Sequence, residues 1–196
     1  GAQQYYGVNA DVVVYGKTLG GGLANGVVCG PARLMKRFDE AKPVRVAYVI
    51  GTFSAAPLTL ATMAEFLAWV QTPATIAAYA DATARTDAWV HDVNVALAAE
   101  GLPMRVDNLT TARTVLLTQP GRYHWMFQYY LRAEGLALSW VGTGRCLFSL
   151  DFTLAQYDAV KTALLNAAKQ MRNDGWWDGD VDAKSISKKI AKEVGY

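Results

Sequence analysis

Histidine and cysteine are nearly missing from this chain, with two of each among 196 residues. His91 lies within a helical stretch and His124 opens another, and neither has a partner at metal-ligand spacing, so no metal centre is expected. Cys29 and Cys146 stand far apart in apolar, strand-like runs and read as buried, reduced thiols of a cytoplasmic protein. Charge of one sign is not in excess either. The formal net charge is +2 and only 18% of residues are charged, which leaves no electrostatic basis for general nucleic-acid or membrane binding. No apolar run reaches the ~20 residues of a membrane span. No secretory leader, internal repeat or low-complexity segment is recognisable. The first residue is Gly1 rather than methionine and a strand pattern follows almost at once, so the chain is expected to be a segment of a longer protein.

What is abundant is apolar surface, at 52% of residues, enough for one large domain or two small ones. Asp11 to Tyr15 is a β-branched run without polar alternation and predicts a strand buried on both faces of a mainly parallel sheet. Gly20, Gly21 and Gly22 interrupt regular structure, and 26–30 predicts a second buried strand. A short helix is expected over 31–39 and a strand over 44–50. From Pro57 a helix apolar nearly all round is expected in the interior, with proline in its first turn. A longer helix follows from Pro73 to about Glu100, its stripe drawn through Ile76, Tyr79, Thr83, Val90, Val93 and Leu97, and Gly101 stops it. Beyond it come strands over 114–117, 136–140 and 145–150, a helix over 125–134 ended by Gly135, and an amphipathic helix over 154–171 with Thr153 as N-cap. The tail carries Lys184, Lys188, Lys189 and Lys192 on one short basic helix. This alternation indicates an α/β protein, divided at 1–100, 101–175 and a tail of 176–196.

Lys17 is the residue whose position suggests chemistry. It sits where an apolar strand ends and glycines begin, and ligands of open α/β sheets bind outside the carboxyl ends of strands. A lysine desolvated there has its pKa lowered and can attack an aldehyde as the neutral amine. Most lysines are plain surface charges, and position alone does not separate the two. Gly16-Lys17-Thr18 also matches the end of a nucleotide-binding P-loop, but the motif's first glycine would fall on Asp11, and the strand occupies the place of the loop.

The segment Asp11-Val12-Val13-Val14-Tyr15-Gly16-Lys17-Thr18-Leu19-Gly20-Gly21-Gly22-Leu23-Ala24-Asn25-Gly26 resembles the cofactor-lysine segment of the class III aminotransferases, enzymes dependent on pyridoxal 5'-phosphate (PLP). Gly1-Ala2-Gln3 with Tyr5, Tyr6, Gly7 and Val8 is similar to the stretch before it in the family's glutamate-1-semialdehyde aminomutase branch. Gly51-Thr52-Phe53-Ser54-Ala55-Ala56-Pro57-Leu58 resembles the family's Gly-Thr turn ahead of Pro-Leu, in the right order and at the right distance. The likeness extends to about Arg172, weakly in the last third.

The resemblance implies a fold-type-I PLP-dependent transferase, of which this chain is the C-terminal part of the large domain plus the small C-terminal α/β domain. Lys17 would hold the cofactor as a Schiff base and move the proton between substrate and cofactor, while the cofactor supplies the electron sink. Thr52, with Gly51, would bind the cofactor phosphate of the partner subunit, making a homodimer with shared sites. The partners implied are a small-molecule amino donor and a carbonyl acceptor, with no nucleic acid and no membrane. Two alternatives stay open: the aminomutase reaction proper, and a degenerate non-catalytic segment serving in oligomer contact. The family's Gly-Asn before proline is Ala55-Ala56 here. Gly144 stands where the aminomutase has an acidic active-site residue, and Arg145 could clamp a substrate carboxylate or pair ordinarily on the surface. The groups that hold the cofactor ring and the main phosphate site would lie ahead of Gly1, so this segment by itself is expected to be inactive.

Overall fold

The computed structural model of the protein describes residues 1–35, 51–138, 146–177 and 182–195. The expected strand over 44–50, the end of the expected helix over 31–39, and Gly144 and Arg145 lie outside the described residues. The chain divides into two compact units, Gly1–Ile76 and Ala77–Tyr196.

In the first unit, α1 (Ala2–Tyr6) ends at Gly7, a left-handed C-cap. It is followed by β1 (Val13–Gly16), which pairs antiparallel with β2 (Gly26–Cys29) from Val13↔Cys29 to Gly16↔Gly26. This corrects the expectation of doubly buried strands in a parallel sheet. Val14 is 71% and Val28 53% exposed, and the Cys29 thiol is exposed as well. A β-branched run sets extended backbone, but the hand of pairing and the covering layers come from elsewhere in the fold, and a two-stranded ribbon covers neither of its faces. After α2 (Ala32–Met35), α3 (Pro57–Val70) begins with Pro57 in its first turn, as expected. It is not an interior helix: it has no buried residue, and Leu58 is 68% exposed. Its contact within the unit is with the turn that follows β1, so one side of an all-round apolar helix is engaged.

The second unit holds the hydrophobic core. α4 (Pro73–Ala99) begins in the first unit and buries Ala82, Thr86, Trp89, Val90, Val93 and Leu97 along the second. Spacings of three and four place these on one stripe. The expected stripe holds over Val90, Val93 and Leu97, whereas Ile76 and Tyr79 are exposed. Gly101, at φ 61°, ends the helix. Its N–H bonds Ala98 O and that of buried Leu102 bonds Leu97 O, both at 3.0 Å, which is the glycine-terminated closure anticipated there.

β3 (Met104–Leu109) and β4 (Ala112–Leu117) then form a hairpin, and β5 (Cys146–Leu147) pairs antiparallel on the other side of β4. β3 was not expected, although Met104 and Val106 are buried around exposed Arg105. Its turn runs through Thr110 at φ 55°, a position where β-branched residues are outliers and no glycine or asparagine announces the hairpin. Asn94 on α4 fastens β3 from the side, its Nδ2 donating to Val106 O at 2.8 Å and its Oδ1 accepting from Val106 N at 2.7 Å.

A 3-10 turn at His124–Met126 leads into α5 (Phe127–Ala133), which Gly135 closes as expected. α6 (Leu154–Asn173) carries a complete capping box: Gln156 N–H donates to Thr153 Oγ1 at 3.3 Å, and Thr153 N–H to Gln156 Oε1 at 2.8 Å. Thr153→Ala should therefore cost about 1 kcal/mol of stability, read as a lower urea midpoint by circular dichroism. An unchanged midpoint would show that the cap is redundant. α7 (Ala183–Glu193) is the expected basic tail helix, capped by Asp182 and seated through buried Ile186.

Helices α4, α5 and α6 share one core with Met104, Val106 and Phe148. Within it, Trp89 Nε1 donates to Tyr157 O at 2.8 Å, and the Thr86 and Tyr157 hydroxyls lie 3.0 Å apart. Arg113 projects from β4 among these rings, its guanidinium carbon over Phe148 and 5.0 Å from the Trp89 ring centre. No carboxylate pairs with it among the described residues, and burial pushes its pKa down to about 10. Cys146, opposite Arg113 in the ladder, is a half-buried thiol outside any disulfide, whose pKa burial raises and the nearby guanidinium lowers in part.

Candidate active site

Lys17 is the residue at which β1 stops being a strand. Its φ is 59°, in the left-handed region, and it opens a 3-10 turn over Lys17–Gly20. A lysine in that conformation is strained by roughly 1 kcal/mol or more, and such strain concentrates at functional sites. Gly21 at φ 58° and Gly22 at φ 99° return the chain toward β2. A Cβ on Gly21 would lie 3.1 Å from the Thr62 carbonyl oxygen of α3, so glycine here serves both the turn and the approach of the helix. Thr62 Oγ1 in turn donates to Gly20 O at 2.9 Å.

The turn and α3 enclose an open groove of about 590 Å³, lined by Lys17, Thr18, the backbone of Gly21 and Gly22, and Phe66. Lys17 is exposed beside it. In this chain the ribbon that carries it is open to solvent on both faces, so these residues by themselves supply no low-dielectric wall around the amine.

Gly51 and Thr52 form a separate tight turn, with Ser54 N–H bonded to Gly51 O at 3.0 Å, and both are exposed. Among the described residues no hydrogen bond joins this turn to Lys17. Ala55 adopts φ 55°, the conformation for which the family's glycine at that point is suited, so alanine takes up the strain that glycine would avoid. Thr52 does not cap α3. The N-cap is Ala56, which has no side-chain bond.

Two residues near Lys17 had not been singled out from sequence. Thr62 is found only once α3 is laid against the glycine turn. Asn25 donates from Nδ2 to Lys17 O at 2.9 Å and to Leu23 O at 3.1 Å, and it stood in view inside the glycine segment. The histidines remain outside this geometry, and no cluster of metal ligands occurs among the described residues.

With that geometry in hand, the fold is identified by comparison. A solved "Transaminase with PLP bound" superposes with a TM-score of 0.75 at 22% identity, covering 89% of this chain and 42% of that one. An omega-transaminase from Sphaerobacter thermophilus gives a TM-score of 0.72 at 24% identity over 88% of this chain and 41% of its own. No family model matches the chain. The chain therefore has the fold of the PLP-dependent transaminases of fold type I, as anticipated. In sequence it is a relative of glutamate-1-semialdehyde 2,1-aminomutases. It is 29% identical over 183 residues to that of Nitratidesulfovibrio vulgaris strain DP4, covering 87% of this chain and 41% of the relative, and 42% identical over 67 residues to that of Methanococcus vannielii, covering 34% of this chain and 15% of the relative. The chain spans about two fifths of the length of the longest-matching curated relatives.

Proposed function

We propose that this chain is the lysine-bearing portion of a PLP-dependent enzyme that transfers an amino group between an amino acid or amine and a carbonyl compound. The observation that carries the reading is Lys17, held at a strained turn where β1 meets the glycines, beside a groove backed by Phe66. The groove fits the group. Its lining sets the side-chain-free backbone of Gly21 and Gly22 and the ring of Phe66 around the same groove as Lys17, a mostly apolar surface on which a flat ring could lie. PLP when bound supplies the aldehyde and the electron sink.

The chain's own residues do the rest. With the cofactor in place, Lys17 Nζ would hold it through its aldehyde carbon and, once released by the substrate amine, would carry a proton from the substrate α-carbon to that carbon. Thr52 would donate its hydroxyl and its backbone N–H, alongside Gly51, to the phosphate of a partner subunit's cofactor, an arrangement that would require a homodimer. The names of the sequence relatives favour a second reading, movement of the amino group between neighbouring carbons of one substrate. No described helix is long and apolar enough to cross a membrane, and two cysteines outside any disulfide suit the reducing cytoplasm in which we place it.

Borohydride reduction of the full-length protein with PLP, followed by peptide mass mapping, tests the assignment. A pyridoxyl adduct on Lys17 is expected, and an adduct confined to other lysines would overturn it.

A further inference from the structure

We infer that Asn25 is a positioning residue for Lys17, holding the lysine's backbone in its left-handed turn so that the amine stays beside the groove. The inference rests on the reading of Lys17 given above. Nδ2 of Asn25 spends its two protons on two carbonyls, Lys17 O at 2.9 Å and Leu23 O at 3.1 Å. It thereby ties the start of the 3-10 turn to the far side of the glycine segment. A hydroxyl side chain has one proton and cannot do both, and a carboxylate has none to give. Oδ1 of Asn25 is buried with no partner among the described residues. The amide leaves that acceptor unpaired because the opposite orientation would set an oxygen against two carbonyl oxygens.

Gly20 follows from the same arrangement. A Cβ there would collide with the Asn25 amide, although Gly20 itself does not need a positive φ. The second glycine-side fastening, Thr62 Oγ1 to Gly20 O at 2.9 Å, holds the other end of the turn to α3. Lys17 is thus bracketed. Its own carbonyl is pinned by Asn25, and the turn it opens is pinned three residues later by Thr62. Without the amide, the strained φ of 59° at Lys17 loses the bond that opposes its relaxation.

The test uses Asn25→Ala and Asn25→Asp in the full-length protein with PLP, compared with the parent and with Lys17→Ala. Both Asn25 variants should still be trapped at Lys17 by borohydride. Their kcat should fall about 10- to 100-fold with KM little changed, because a reacting group misplaced by about 1 Å loses that much. The visible absorbance of the lysine-bound cofactor should shift or weaken. Before PLP is added, amide exchange at Gly21 and Leu23, whose N–H groups bond Thr18 O and Gly20 O within the turn, should be faster than in the parent. Parent-like kcat, spectrum and exchange in both variants would overturn the inference. If the parent itself is not trapped at Lys17, the cofactor reading is what fails, and exchange alone then decides whether Asn25 holds the turn.

Discussion

Lys17→Ala in the full-length protein is expected to lower amino-group transfer by on the order of 1,000-fold or more, with loss of the visible band of bound cofactor. The size follows from two tasks falling on one atom. On the proposed reading, Nζ as a nucleophile would hold the aldehyde in advance and give the incoming amine an activated partner to displace. As a proton carrier it acts at the substrate carbon, and a positioned acid–base group alone is worth about 10²- to 10⁴-fold. Lys17→Arg should fare little better despite keeping the charge, since a guanidinium is not a nucleophile at neutral pH. Neither variant should unfold the protein, because among the described residues no hydrogen bond holds the Lys17 side chain and Asn25 bonds its backbone. Turnover and spectrum retained in Lys17→Ala would leave the non-catalytic, oligomer-contact alternative standing.

The largest effect on stability is expected from Trp89→Ala, at about 3–5 kcal/mol. Trp89 is 6% exposed and stands edge-on to Phe148 with ring centres 5.2 Å apart. It also gives its Nε1 proton to Tyr157 O and lies under Arg113. Truncation removes a large apolar body, an aromatic pair and one wall around a guanidinium that has no counter-ion among the described residues. Trp89→Phe, which refills much of the volume, should recover part of the loss. Thermal denaturation of this chain reads both, and a melting temperature for Trp89→Ala within about 2 °C of the parent would contradict the role given to this cluster.

Local chemistry was the readable part of the fold. Thr153 before α6, Gly101 after α4 and Gly135 after α5 were legible because caps depend on a few adjacent residues and on backbone groups that must be satisfied somewhere. The extended segments at β1 and β2 were legible for the same reason, and their environment was not. Val13 and Val14 prefer extended backbone wherever they sit, but whether water or another layer covers them depends on chain far away in sequence. β3 escaped notice because Thr110 and Thr111 make a turn without turn-forming residues. The bonds of Asn94 to Val106 and of Thr62 to Gly20 span 12 and 42 positions, beyond any periodic pattern.

The candidate site divides along the same line. Lys17 was singled out by its place between a strand and glycines together with the resemblance, and the Gly-Thr turn by the resemblance alone. Asn25 lay within that motif, yet its task depends on two carbonyls converging in space, and a sequence does not display where carbonyls point.

From its residues alone this chain specifies the start of α3 at Pro57, the caps of α4, α5 and α6, the extended backbone of β1 and β2, and that one amine stands at a glycine-rich turn, because each of these is settled by neighbours along the backbone. The tertiary structure decided the antiparallel pairing of the strands, the exposure of β1 and α3, the burial of Arg113 among aromatic rings and the fastening of the Lys17 turn. Each of those is a contact between residues distant along the chain, and its free energy exists only once the chain has brought them together.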